Sequence, residues 1–507
     1  QLKAAGLRSG NSDFGTLELE LDGNRANHSL TLDLTEGLVD ATARLRGSLN
    51  ARQWQGQLTQ SAIAYQQFDW TLQNSADLRY VMASGRLQLS EHCWSHAKSQ
   101  LCFNGQQTLM PERNLAMTLQ DFDLASLKPW MPEDIDWQAL LNARIEFSQA
   151  VGKAPIADVS IRSADGLIQV TEEEQSVDFP YQLLELTTRL QARTANADLV
   201  LKSDSIGQLN IQAQVQEPGG KQALTGAYQI TGLKLDVMRP FIAQVQRLEG
   251  QLNGQGELGG VLREPIVNGQ LRLTNGHASG PSLPISLEQL TADIRVQGQS
   301  ASIDGNWSSG EKGTGKLVGE VGWAPLDVNL ELIGSSLPVT VEPYAHLLVS
   351  PELQLGLRQN ALHVSGKVAI PEGDITVREL PAQAVRVSDD TVIVGQQVAE
   401  KTESPLEVTA RIQLVIGDQL RLSAFGLTGR LKGQLAVREN MTANGDLRIL
   451  DGRIKRLGQD LTLRRAILLF SGPISQPYMN IEAIRKVDEV VAGLRLTGNA
   501  NSPSTTV

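Results

Sequence analysis

Hydrophobic and polar positions alternate with a period of two along most of the chain. In the stretch 427–438, Leu427, Gly429, Leu431, Gly433, Leu435 and Val437 fall on one side, while Thr428, Arg430, Lys432, Gln434 and Arg438 fall on the other. Successive side chains of a strand point to opposite faces, so this pattern predicts a strand with one apolar and one polar face. The same alternation predicts strands at 17–21, 209–215, 252–258, 328–332 and 406–414. Between such runs lie Asp22-Gly23-Asn24, Pro218-Gly219-Gly220, Asn275-Gly276, Asp304-Gly305-Asn306 and Asp451-Gly452. These are turn residues, so successive strands are expected to be antiparallel neighbours.

Helical periodicity is confined to three short stretches, 127–141, 235–246 and 341–349. Each carries Pro followed by an aromatic, at Pro129-Trp130, Pro240-Phe241 and Pro343-Tyr344, with an apolar residue (Leu127, Met238, Val341) two positions earlier. The spacing points to an internal repeat of about a hundred residues and an elongated array. The expected divisions are 1–120, 121–230, 231–335, 336–405 (with a short helix) and 406–507, within one continuous sheet. The expected fold class is therefore all-β: an elongated, curled, antiparallel-rich sheet with a few short helices. A strand about every 12 residues would give roughly 42 strands and, at about 4.8 Å between neighbours, a sheet roughly 200 Å long.

Composition narrows the function classes. The 507 residues include 46 Gly but only 4% aromatics, and the net charge is −11. No concentrated Lys/Arg run offers a nucleic-acid face, so nucleic acid is not an expected partner. The longest strongly apolar run, Ala466-Ile467-Leu468-Leu469-Phe470, is far shorter than the roughly 20 residues of a membrane helix. The chain opens at Gln1 with no signal segment, which suggests a piece of something longer.

Chemical motifs are weak. Gly254-Gln255-Gly256-Glu257-Leu258-Gly259 fits G-x-G-x-x-G but is followed by a predicted strand, not by the helix that would hold a pyrophosphate. Gly310-Glu311-Lys312-Gly313-Thr314-Gly315-Lys316 approaches a P-loop, yet Leu317 stands where Ser or Thr must hold magnesium. His28, His92, His96, His277, His346 and His363 are dispersed. No enzyme, metal or cofactor is expected. Cys93 and Cys102 read as a hairpin closed by a disulfide, implying an oxidising compartment. One alternative, a metal site using His92 and His96, matches no common zinc spacing, and the other is a pair of free thiols.

An alternating strand must cover its apolar face, and helices here are too few to do so. Either the sheet folds onto itself around a packed interior, or it curls into a trough left open to another apolar molecule. A third possibility is a chaperone-like scaffold that captures barrel strands by β-augmentation at an exposed edge. A polysaccharide-binding or hydrolytic solenoid would need rows of exposed aromatics, which the composition disfavours.

The C-terminal hundred residues carry Leu431-Lys432-Gly433-Gln434-Leu435, then Gly445-Asp446-Leu447-Arg448-Ile449 with Gly452, then Leu461-Thr462-Leu463-Arg464-Arg465-Ala466. Leu469-Phe470-Ser471-Gly472-Pro473-Ile474-Ser475-Gln476-Pro477 and Ile481-Glu482-Ala483 follow. This tail resembles the TamB family of AsmA-like, bridge-like lipid-transfer proteins, as does the stretch 364–375. The unit from Leu252 through Pro265, Gly269 and Gly276 to Trp323 is similar to the AsmA-like repeat. The resemblance implies a periplasmic β-taco, attached to the inner membrane by an N-terminal anchor absent from this chain, with membranes at both ends of the full-length protein. It also implies a groove for phospholipid acyl chains, carriage of glycerophospholipids to the outer membrane, and support of outer-membrane protein assembly with a TamA-like, Omp85-type barrel. The expected groove lining is Leu252 and Leu258, Leu271 and Leu273, Ile294 and Val296, Leu317 and Val321, and Leu330 and Leu332. It continues through Val408 and Ile412, then Leu427, Leu431, Leu435 and Val437, then Leu447 and Ile449, and ends with Leu461 and Leu463.

Overall fold

The computed structural model describes residues 1–10, 12–172, 175–241, 245–280, 283, 285–377, 407–424, 426–456, 459–487, 490–499, 502 and 504–506. The expected boundary at 405/406 and the first residue of the stretch 406–414 lie outside them. The described chain is all-β, with 34 strands and only short 3-10 turns besides. Among the described residues fewer strands form than the roughly 42 anticipated from one about every 12 residues, because several run far beyond the usual length. Ile156–Glu172 and Gln175–Gln191, for example, have 17 residues each.

Two compact units are present, one formed by Gln1–Phe241 with Asn253–Asn268, the other by Ile242–Leu252 with Gly269–Val507. In the first, most neighbours are joined as antiparallel hairpins. Leu2–Ser9 pairs with Ser12–Asn24, and an unbroken ladder leads from Arg113–Asp123 to Ala223–Lys234. The meander forks once. On one branch Phe68–Leu72, His92–His96 and Ser99–Phe103 link Gln53–Tyr65 to Arg113–Asp123. On the other, Ala76–Val81, Arg86–Leu89 and Gln107–Met110 link the same two strands. A fork leaves backbone groups without ladder partners, and the Gln107 side chain supplies some of them. It is 1% exposed, donates through Nε2 to the carbonyls of Asn104 (2.7 Å) and Gly105 (3.2 Å), and accepts from the Ala116 N–H at 2.8 Å.

In the second unit, antiparallel ladders run from Leu287–Gln297 to Ala361–Val377 and from Glu407–Ala424 to Ser504–Thr506. The junction between them departs from expectation: Ala361–Val377 and Glu407–Ala424 are parallel. Parallel neighbours cannot be joined by a tight turn. Here positions 378–406 intervene where a hairpin would need only a few residues.

The helical stretches are also corrected. Leu124–Trp130 is a 3-10 helix capped by Asp123, whose carboxylate accepts from the Ala125 N–H at 3.0 Å, but the chain re-enters a strand at Ile135–Gln149. Leu235–Phe241 is likewise 3-10, with a strand from Arg247. At 341–349 there is no helix. Val341 pairs with Ala345 at the tip of a hairpin between Leu337–Val341 and Ala345–Arg358. Helices of two or three turns are marginal alone, and flanking strands that extend a ladder outcompete them. The Pro-aromatic motif thus marks chain reversals between strands.

Candidate functional site

Residues paired directly across a ladder share a face, so the printed registers show which predicted lining residues come together. In the second unit one row runs Ala292, Gly305, Leu317, Leu332, Leu353, Gly366, Ile412, Val437, Ala443 and Gly472. A second runs Val296, Ala301, Val321, Val328, Leu357, Leu362 and Val408. A third joins Ile294 through Ile303 and Gly319 to Leu330, Leu355 and Val364. The register therefore assembles nine predicted positions, from five separate strands, into three adjacent apolar rows. Leu461 pairs with Ile454, which pairs with Leu427. Leu252 and Leu258 lie on Arg247–Val261, and Leu271 and Leu273 on Glu264–Ser279.

Burial divides this face in two. Leu317, Leu330, Leu332, Ile294, Val296, Val321 and Ile412 are only partly buried, and Val408 is 55% exposed. In-sheet neighbours shield such side chains from the flanks while their outer surface stays uncovered. Toward the C-terminus the face closes. Leu431, Leu435, Leu447 and Ile449 are buried in a cluster with Ile416, Leu420, Ala443, Ala466 and Phe470, with Leu463, Leu427 and Val437 packed against it. Leu431 stands between Leu420 and Ile449 on the two neighbouring strands, and Gly433 between Ile416 and Leu447.

The first unit, where Leu258 was the one lining residue assigned, has an apolar row of its own. One row links Trp94, Leu101, Leu119, Ala143, Ile161, Leu186, Leu199, Ile211 and Tyr228. From Leu101 onward it is partly buried. The alternation at 209–215 was the available signal. Burial pushes the Tyr228 phenol up from its ordinary value. Near the fork, Phe68 is 8% exposed and stacks on Trp130 (ring centroids 5.5 Å apart, 9° between planes) and on Phe122 (5.7 Å). The short 3-10 helix thus lays an aromatic over the apolar side.

Aromatics also lie against cross-strand glycines. Trp307 faces Gly315, where a Cβ would come within 2.2 Å of the indole, and Tyr181 faces Gly166 at the same distance. The Tyr181 hydroxyl is fixed by the Trp137 indole N–H at 2.9 Å and by Ser163 at 2.8 Å.

The opposite face is laced with exposed ion pairs, including Arg189–Asp158 (2.7 Å), Arg272–Asp293 (2.6 Å), Arg358–Asp327 (3.0 Å) and Arg421–Asp374 (2.6 Å). Hydrogen bonds from Arg272, Arg421, Lys432 and Arg247 hold the carboxyls of Asp293, Asp374, Asp418 and Glu249 below their ordinary range. Exposed pairs of this kind contribute little individually and define which side faces water.

Cys93 and Cys102 are directly opposed on adjacent strands and joined by a disulfide, as expected for that hairpin. Nearby, His92 Nδ1 contacts the Ser90 carbonyl at 2.9 Å and His96 Nδ1 that of Asp69 at 3.2 Å. Among the described residues no group of three or more His, Cys, Asp or Glu is placed to hold a metal, and no helix is long and apolar enough to cross a membrane. The G-x-G-x-x-G stretch lies inside the strand Arg247–Val261, and the P-loop-like stretch is the turn into Gly313–Trp323.

These ladders make an all-β protein whose strands carry one apolar and one ion-paired face, so its most extensive surfaces are those of the sheet itself. The chain belongs to the TamB family: residues 1–273 match the TamB N-terminal domain and residues 303–507 the TamB C-terminal domain. It is similar to the translocation and assembly module subunit TamB of Haemophilus influenzae, with 25% identity over 535 aligned positions covering 98% of this chain and 40% of that protein. The chain thus spans less than half the length of this curated relative.

Proposed function

We propose that the partly buried apolar face is a passive conduit for the acyl chains of glycerophospholipids. In this reading the protein is part of a translocation and assembly module in the periplasm and carries lipid from the inner to the outer membrane. It supports outer-membrane protein assembly beside a TamA-like barrel of the Omp85 type. Family membership and the name of the Haemophilus relative support the module. The apolar rows support the cargo, above all the one through Leu317, Leu332, Leu353 and Ile412, whose members stay partly uncovered across successive strands. Burying a methylene is worth about 0.8 kcal/mol, so a tail of about 14 carbons laid on such a face gains on the order of 11 kcal/mol. Every rung offers a similar aliphatic wall, so a bound chain can slide from rung to rung with little change in energy. The disulfide fits an oxidising compartment.

The test is lipid extraction and mass spectrometry of purified protein carrying Leu332→Asp or Leu199→Asp. Both positions are partly buried, so the carboxylate can reach water and the fold is expected to persist. Loss of co-purifying phospholipid with an unchanged far-UV spectrum is the expected result. Undiminished lipid loading in both variants would refute the conduit.

A further inference from the structure

On the hydrophilic side of the C-terminal ladder lies a concavity of about 790 Å³ between Glu407–Ala424, Leu427–Arg438 and Thr442–Arg456. Its charged lining is Arg411, Lys432, Arg438 and Arg448 against the single carboxylate of Asp446. This surplus stands within a chain whose net charge is −11. Two of the cations are committed: Lys432 Nζ lies 2.5 Å from Asp418, and Arg448 Nε 3.0 Å from Asp446. Arg411 and Arg438 form no ion pair with any described carboxylate, although they are directly opposed across the ladder. Directly opposed residues have Cβ atoms roughly 5 Å apart, where like charges repel. Lys432 and Arg448 are opposed in the same way on the next pair of strands. Elsewhere on this face the opposed pair Arg421 and Arg430 is neutralised, by Asp374 and Asp451. The Arg411/Arg438 pair is built alike but lacks the acids.

Uncharged donors complete the lining. Gln413 donates to the Gln434 side-chain oxygen at 3.4 Å, which leaves the Gln434 amide N–H groups free to point elsewhere, and Asn444 sits beside them. The hollow depends on Gly433 (φ 150°) and Gly445 (φ 140°), where a Cβ would come within 2.1 Å of the carbonyls of Asp446 and Gln434. Only glycine lets the strands bend together this closely.

We propose that this hollow is an anion site for a phosphate-type group, with the guanidinium forks of Arg411 and Arg438 gripping its oxygens and the amides of Gln434 and Asn444 completing the cradle. Guanidinium groups match phosphate geometry bidentately, and a doubly negative group between two arginines turns their mutual repulsion into attraction. The site is separate from the apolar face and does not rest on the conduit reading. Its ligand is a phosphomonoester-like group, supplied either free in solution or as a lipid headgroup.

The experiment is calorimetric titration of the full chain with inorganic phosphate at low ionic strength, comparing wild type with R411Q, R438Q and the double variant. R189Q, on the polar face of the other unit, is the control. The double variant is expected to weaken phosphate binding at least about tenfold, the R189Q control to leave it unchanged, and added salt to weaken it in the wild type. In phosphate-free buffer, R438Q is expected to resist urea at least as well as wild type, because a repulsion has been removed. Equal phosphate binding in wild type and double variant, no binding by wild type, or a loss of urea resistance in R438Q would overturn the proposal. Flotation with phosphatidylcholine vesicles containing phosphatidic acid separates the sources. Capture that requires the two arginines identifies a headgroup, whereas arginine-dependent phosphate binding without arginine-dependent flotation identifies a free phosphate.

Discussion

Truncating Leu431 and Leu332 to alanine makes the same chemical change on the same face of the protein, with very different expected costs. Leu431 is 6% exposed and is flanked across the ladder by Leu420 (0%) and Ile449 (6%). Leu→Ala removes three carbons, worth roughly 2.4 kcal/mol at about 0.8 kcal/mol each, and a cavity that cannot collapse raises the loss to about 3–4 kcal/mol. Leu332 is partly uncovered, so only a fraction of that transfer energy is at stake and no closed cavity forms, which gives about 1 kcal/mol. In an array whose strands touch mainly their neighbours, such losses are local, so backbone hydrogen exchange reads them better than a global melting point. Amide protection in Leu427–Arg438 and Thr442–Arg456 should fall by roughly 150- to 700-fold in Leu431→Ala, while Leu326–Ser335 in Leu332→Ala should lose about fivefold. Equal losses at the two positions would refute the division of the apolar face into an open and a closed part.

Three further outcomes follow from the same geometry. Gly315→Val puts a side chain where the Trp307 indole lies and should cost about 1–3 kcal/mol as overpacking, read by urea unfolding followed by tryptophan fluorescence; an unchanged midpoint would contradict the contact. Reducing Cys93–Cys102, or replacing both with Ser, should destabilise its hairpin by about 2–3 kcal/mol and speed proteolysis between residues 86 and 110, with cleavage elsewhere unchanged. Because the carboxyls of Asp293, Asp374, Asp418 and Glu249 are held below their ordinary range, their contribution is fully present above about pH 4–5 and is lost as pH falls through the lower folded-state values. Urea midpoints should therefore be flat from pH 7 to 5 and drop below about pH 4, by less in high salt; a midpoint that rises on acidification would contradict the pairing.

How much of this could be seen in the chain alone depended on the range of the interactions involved. Of the predicted turns only Pro218-Gly219-Gly220 forms one. Asp22-Gly23-Asn24 ends the strand Ser12–Asn24, with the hairpin tip at residues 25–26. Asn275-Gly276, Asp304-Gly305-Asn306 and Asp451-Gly452 lie inside strands, where Asn275 (φ 53°) and Asp451 (φ 51°) kink a long strand instead of reversing it. The period-two alternation at 427–438 did become the strand Leu427–Arg438, because strand faces are encoded within a few residues. Cys93 and Cys102 were legible for the same reason. Leu332 and Leu431 look alike in sequence, since each is a leucine in an alternating run. Whether such a leucine is covered is decided by strands tens of residues away, as for Leu431, which packs with Phe470. The parallel pairing of Ala361–Val377 with Glu407–Ala424 and the fork closed by Gln107 likewise depend on distant partners. The Pro-aromatic motif was visible, but its local helical pattern gave way to the ladders on either side, completely so at 341–349. The opposed arginines 411 and 438 are 27 positions apart, and only the register brings them together.

The most direct test of the open apolar face is site-specific photocrosslinking in cells, with the probe placed in turn at Leu332, Leu199, Leu431 and the outward-facing Glu331. The account predicts covalent glycerophospholipid at Leu332 and Leu199 and none at Leu431 or Glu331. Adducts of polypeptide rather than lipid at Leu332 and Leu199, or lipid adducts equally abundant at all four positions, would contradict it.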